Sequence, residues 1–179
     1  EDNEIARVSK RFGAEVPFMR PKNLATDTAT TDDVLIHSVK KLRSLGHKFE
    51  IMVNRDCTVP FITSKDIKYS IKLLKEKNCD IVCGVYRQHH NPYFNMMEQN
   101  SKGFLRFSKK KGVQITNRHN MPIVFQLNGL AVFYVEKLLK YGKLYMPKAL
   151  PYEISPETGF MIDTEFEFQV AEMIAKKYI

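Results

Sequence analysis

The sequence predicts an α/β domain: a doubly wound, mostly parallel sheet with an inserted antiparallel β arm. Three observations carry this expectation. Apolar runs of strand length alternate with segments of helical period. The connections between them are short enough for right-handed crossovers in a parallel sheet. The alternation stops between residues 89 and 122, where the chain breaks into short, polar, Gly-punctuated pieces. With 179 residues and 44% hydrophobic content, the chain can bury one core, so a single domain over 1–179 is expected.

The elements follow in order. Ile5, Val8 and Phe12 have helical spacing, Gly13 is a helix stop, and "AEVPFM" reads as a strand. A second helix runs from Thr31, with Leu35, Val39 and Leu42 on one face and "SLG" at its end. "KFEIMVN" is a buried strand ending near Asn54. Thr63 or Ser64 then caps a helix carrying Ile67, Ile71 and Leu74. "CDIVCGVY" is the next strand. "HNPYFNMMEQ", "GFLRFS" and "KKKGVQIT" are hairpin material, and the Lys109–Lys111 run reads as a solvated turn. "IVFQLNGLAVFYV" is a long strand interrupted at Asn128-Gly129. A short helix near Val135–Tyr141 and a closing helix after Asp163 complete the chain.

Composition bounds the function. The 28 Lys+Arg against 20 Asp+Glu leave a formal charge of +8, which favours anionic partners. No nucleic-acid-binding motif accompanies that charge, and the aromatic residues read as core. Cys57, Cys79 and Cys83 are odd in number and lack zinc-site spacing, so they read as small core residues of a reduced, cytoplasmic protein. No apolar run approaches the ~20 residues of a membrane span.

Ligands of open α/β sheets bind beyond the carboxyl ends of the strands. Asp56 follows "FEIMVN" and Asp163 follows "GFMI", so two acids fall there. Two carboxylates from distant positions suit Mg²⁺, which uses one or two carboxylates together with substrate phosphates and water. Asp163 is equally a helix cap and Asp56 a turn residue. "TEFE", Thr164 to Glu167, is a capping box, which gives Glu167 a structural task.

"AEVPFMRPKNLATDTATTDDVLIHSV" resembles the acylneuraminate cytidylyltransferase family, the CMP-sialic acid synthetases. "TSKDI", "HNPYF", "NRHNMP", "QLNGLAVF" and "IDTEFEFQVAE" are similar to later family segments in the same order. The resemblance implies a nucleotide-diphospho-sugar transferase-like fold and a nucleotidyltransferase. It would transfer CMP from CTP to an acidic nine-carbon sugar, release pyrophosphate and use Mg²⁺. The chain is expected to act as a cytoplasmic homodimer joined by the 89–122 arm, with Tyr93, Phe94, Met96 and Met97 as a contact face. Arg20 matches a substrate-contacting arginine, and Ala29 and Thr31 match positions near the cytosine nucleotide, Thr31 being equally an N-cap for the following helix. Arg118 matches a catalytic arginine. Asn128 matches the family Asn-Gly that faces the sugar, and its other reading is a turn. Asp163 and Glu165 match a pair of acids associated with the metal, with Asp usual at the second position.

Departures from the family sharpen the expectation. Asp56 stands where the family has a substrate-binding glutamine. Kdo cytidylyltransferases, which resemble this family, carry a metal-binding Asp at a similar point, so Asp56 and Asp163 are expected to share one metal. Gln126 replaces an arginine that could pair with the sugar carboxylate, which implies a different nonulosonic acid, legionaminic or pseudaminic acid among them. The family opens with a strand and a basic Gly-rich loop, Ala-Arg-x-Gly-Ser-Lys, that is not in this sequence. The 179 residues are therefore expected to be N-terminally incomplete and weakly active or inactive alone. The alternative is a nucleotidyltransferase-like binding or scaffold module without catalysis.

Overall fold

A computed structural model describes residues 1–110 and 117–176. In chain order the elements are α1 (Asn3–Arg11), α2 (Thr31–Ser44), β1 (Ile51–Arg55), α3 (Ser64–Glu76), β2 (Ile81–Arg87), β3 (Met97–Gln99), β4 (Leu105–Phe107), β5 (Phe125–Tyr134), α4 (Val135–Tyr141), β6 (Ala149–Glu153) and α5 (Glu165–Ala175). Single 3-10 turns cover Lys22–Leu24 and Arg118–Asn120.

Four strands form one sheet in the order β1-β5-β2-β6, and β3 pairs with β4 separately. Backbone hydrogen bonds give the directions. Asp56 N–H donates to Gly129 O, and Val135 N–H donates to Glu50 O, so β1 and β5 run antiparallel. Gln88 N–H to Val124 O and Tyr134 N–H to Asp80 O make β2 and β5 antiparallel as well. Asp80 N–H to Lys148 O and Ile154 N–H to Val85 O rise together, so β6 is parallel to β2. β1, β2 and β6 thus share one direction, as the β1–α3–β2 crossover predicts, with β5 opposed between the first two.

The chain divides into two compact units. One comprises Glu1–Val53, Lys72–Val82 and Val132–Leu150; the other comprises Asn54–Ile71, Cys83–Ala131 and Pro151–Ile179.

In the first unit, α1 is capped by Asp2, whose Oδ1 accepts the N–H groups of Glu4 and Ile5 at 2.7 and 3.0 Å. Gly13, at φ +87°, supplies the stop. The strand expected at Ala14–Met19 is irregular chain instead. Pro17 has no N–H to give a ladder, and the sheet's strands all lie elsewhere. The cap of α2 is Thr30, one residue earlier than expected: its Oγ1 accepts the Asp33 N–H at 3.1 Å. Leu35 and Val39 of α2 are buried, as are Leu74, Ile81, Val132, Phe133 and Leu138. Asp80 is only 2% exposed. It pairs with Lys137 Nζ at 3.0 Å. The hydrogen bond from Lys137 holds this carboxyl below the usual range.

In the second unit, Thr63 caps α3 reciprocally with Asp66: Asp66 N–H reaches Thr63 Oγ1 at 3.3 Å, and Thr63 N–H reaches Asp66 Oδ2 at 2.9 Å. Tyr152 Oη donates to Asp66 Oδ1 at 3.1 Å. Burial and the adjacent carboxylate push the phenol up to about 12. Tyr152 belongs to β6, a strand not expected from the sequence. Pro151 disguises it, and an edge strand tolerates the missing donor. Within the stretch 89–122 a hairpin sets Met97 opposite Phe107, Glu98 opposite Arg106 and Gln99 opposite Leu105, and most of the expected piece "KKKGVQIT" lies outside the described residues. Asn100 Oδ1 closes its turn by accepting the N–H groups of Lys102 and Phe104, each at 3.0 Å. At the arm's base, Asn91 Nδ2 donates to Pro122 O at 3.0 Å. The three cysteines are free; Cys79 and Cys83 are buried, as expected, whereas Cys57, expected in the core, is exposed on the turn after β1.

Candidate active site

The expected interruption of β5 is absent. The strand continues through Asn128-Gly129, with Gly129 held at φ +71° inside it. Asn128 is therefore not a turn residue. Its side chain is fully buried. With Nδ2 donating to Gly84 O at 2.9 Å and Oδ1 accepting the Val85 N–H at 3.2 Å, the carboxamide stands in for a backbone rung between β5 and β2. Two glycines make room for it. A Cβ on Gly84 would fall on this carboxamide and 2.8 Å from Leu130 Cβ. A Cβ on Gly159 would lie 3.0 Å from the Tyr86 ring and 3.3 Å from the Asn128 carboxamide.

Asp56 is the residue immediately after β1, as the sequence predicts, and is exposed. Its N–H donates to Gly129 O at 2.9 Å, and its Oδ1 accepts from Asn54 Nδ2 at 3.1 Å. Arg55 steadies the following turn by donating to Pro60 O at 2.6 Å.

Asp163 is not at the end of a strand, because "GFMI" is irregular. It precedes the cap of α5 instead. Thr164 is that cap: its Oγ1 accepts the Glu167 N–H, and Glu167 Oε2 accepts the N–H groups of Asp163 and Thr164, each at 2.8 Å. Those donors, the Asp163 N–H foremost, hold the Glu167 carboxyl below its ordinary range. The preceding N–H, of Ile162, donates to Thr58 O at 2.9 Å. The segments bearing the two acids therefore meet within one unit.

Two exposed carboxylates of this kind fit the donor set that Mg²⁺ uses with phosphates and water. The three-acid set does not form: among the described residues, no three His, Cys, Asp or Glu are gathered to hold a metal. Glu165 is the exposed first residue of α5, one position past the cap; the helix start uses Glu167 instead.

Beside Asn128, Gln126 is half-buried and joins a neutral polar cluster. Gln88 Nε2 donates to Gln126 Oε1 and to Tyr86 Oη, the latter at 3.3 Å. Burial raises the Tyr86 pKa, and its amide neighbours partly offset this. Neither Tyr86 nor Gln88 was expected from the sequence. The isolated Gly84 inside a strand pattern was the available signal, since such a glycine marks close approach.

The remaining expected residues are in the first unit or outside the description. Arg20 forms a two-point pair with Glu1, Nε to Oε2 at 2.8 Å and Nη2 to Oε1 at 2.7 Å. That pairing lowers the Glu1 pKa. Ala29 is half-buried, with its N–H on Thr26 O at 3.0 Å, and Thr31 is the exposed first residue of α2. Arg118 begins a 3-10 turn, and its side chain lies outside the described residues.

No protein-family model matches the chain. Over 182 residues it is 26% identical to the post-translational flagellin modification protein B of Campylobacter coli, covering 99% of this chain and 75% of that protein. Over 179 residues it is 28% identical to the CMP-N,N'-diacetyllegionaminic acid synthase of Campylobacter jejuni, covering 97% of this chain and 74% of the relative. These likenesses support a CMP-sialic acid synthetase-like family for this chain. Its fold agrees: a solved CMP:2-keto-3-deoxy-manno-octonic acid synthetase complexed with CTP matches 100% of this chain and 79% of its own, with a TM-score of 0.68 at 12% identity. The side chains grouped with Gln126, those of Gln88 and Tyr86, are uncharged too.

Proposed function

We propose that the chain is a cytidylyltransferase that transfers CMP from CTP to an acidic nonulosonic sugar and releases pyrophosphate. The observation that carries this reading is the likeness, along 97% of the chain, to a CMP-N,N'-diacetyllegionaminic acid synthase. In the reaction, the anomeric hydroxyl of the sugar attacks the α-phosphorus of CTP. The bond to the β-phosphate oxygen breaks, pyrophosphate leaves, and the hydroxyl proton passes to solvent. Asp56 and Asp163 would hold Mg²⁺, which when bound supplies charge neutralisation at the phosphates. Arg118 stabilises phosphate charge, and Arg20 contacts substrate once released from Glu1. Ala29 and Thr31 border the cytosine nucleotide, and Glu165 contributes negative field near the metal rather than a ligand. Gln126 faces the sugar within an uncharged cluster, which favours a legionaminic- or pseudaminic-type acid. Asn128 supports that face from inside the sheet.

The exposed apolar residues of the arm, Met96, Met97, Phe104, Leu105 and Phe107, support a homodimer through that element. Use of CTP goes with a cytoplasmic location; among the described residues no helix is long and apolar enough to cross a membrane. The test is pyrophosphate release by the full-length protein, supplied with CTP, Mg²⁺ and each of several nonulosonic acids. One sugar should drive turnover, and Asp163→Asn should reduce it on the order of 100-fold. No sugar-dependent release from the full-length protein would refute the reading.

A further inference from the structure

We propose that Gly129 is a positioning residue for Asp56: the bare Cα at this point of β5 forms the seat in which the Asp56 carboxylate lies. The proposal rests on the cytidylyltransferase reading for its use and on three local observations for its substance. A Cβ on Gly129 would lie 2.8 Å from both Asp56 Cβ and Asp56 Oδ2, and 3.0 Å from Cγ, inside the 3.4 Å at which ordinary contact begins. The two backbones are tied directly above that contact by Asp56 N–H to Gly129 O at 2.9 Å. Asn54 Nδ2 restrains the carboxylate at its other oxygen, 3.1 Å away.

The left-handed φ of +71° alone would explain a preference for glycine, yet it would still admit asparagine or aspartate at modest cost. The contact with Asp56 adds a second demand, because any Cβ here meets the Asp56 side chain at 2.8 Å and one of the two must shift. Gly129 cannot simply retreat, because Asn128, its neighbour, is bound into β2 through Gly84 and Val85. An added methyl group must therefore move the carboxylate. A cation held between Asp56 and Asp163 would feel that movement, since misplacement by about 1 Å can cost on the order of 100-fold in rate.

Four proteins test this: the parent, Asp56→Gly, Gly129→Ala and the double variant. Each is measured for Mn²⁺ binding in the presence of CTP, by the resonance signal of free Mn²⁺, and for sugar-dependent pyrophosphate release. Gly129→Ala should weaken Mn²⁺ binding roughly tenfold and cut release by roughly 10- to 100-fold. Asp56→Gly removes the three atoms nearest to the added methyl group, so the double variant should bind and turn over no worse than Asp56→Gly alone. Losses that multiply in the double variant would overturn the proposal, as would unchanged Mn²⁺ binding in Gly129→Ala or no binding by the parent. If Gly129→Ala does not fold, Asp56→Gly should restore folding to it; a double variant that also fails overturns the proposal. If the parent binds Mn²⁺ but no sugar drives release, the cytidylyltransferase reading fails, and the binding comparison still decides the role of Gly129.

Discussion

Replacing Asn128 by alanine should destabilise the second unit far more than a surface change would. The carboxamide satisfies Gly84 C=O and Val85 N–H inside a fully buried setting. Alanine takes this partner from both backbone groups, at a place that Gly84 and Gly159 border closely. An orphaned buried group costs about 1–3 kcal/mol, so two cost roughly 4 kcal/mol in sum. Against a total stability of about 5–15 kcal/mol, that is a large fraction. Equilibrium urea unfolding followed by far-UV circular dichroism measures it. Asn128→Asp provides a control of equal size: it keeps an acceptor for Val85 but turns a carboxylate oxygen toward Gly84 C=O, so it should be at least as damaging at neutral pH. A loss below about 1 kcal/mol for Asn128→Ala, with reduced sugar-dependent turnover, would refute this account. Asn128 would then be a sugar contact and not a rung of the sheet.

Lys137→Met should cost about 1–3 kcal/mol in the same assay, because it takes the charged partner from the buried Asp80 carboxylate. The half-exposed lysine keeps the figure at the lower end. Asp80 has a folded-state pKa below its unfolded value of about 3.9. Its contribution is therefore complete above that value and is lost as pH falls through the folded one, so parent and Asp80→Asn stabilities should converge in acid. Thr164→Ala should lower stability by about 1 kcal/mol through loss of the α5 cap, read as a drop in melting temperature, with the Mn²⁺ affinity unchanged.

Local chemistry was legible in the sequence wherever it acts through neighbours in the chain. The Thr164–Glu167 box, the Thr63 cap, the Gly13 stop and the α4 span all follow from residues within four positions of one another. The position of Asp56 after β1 was legible for the same reason. What pattern could not supply depended on partners far along the chain. Whether "AEVPFM" pairs as a strand depends on a free sheet edge, and "ALPYE" found one despite its proline. The Asn-Gly pair is a turn signal in isolation; here the sheet holds it straight because Asn128 can reach β2. The two acids were expected at two strand ends, and only Asp56 is at one. Asp163 arrives on irregular chain that the Ile162 N–H fastens to Thr58.

The opposed direction of β5 bears on synthesis at the ribosome. Asp56 waits for Gly129, about seventy residues downstream, before its backbone amide finds an acceptor. Until that stretch emerges, the sides of β1 and β2 that β5 will occupy stay open, ready to join with foreign strands. Nascent chains halted before residue 125 should consequently clump or recruit chaperones, whereas those released after Tyr134 should not.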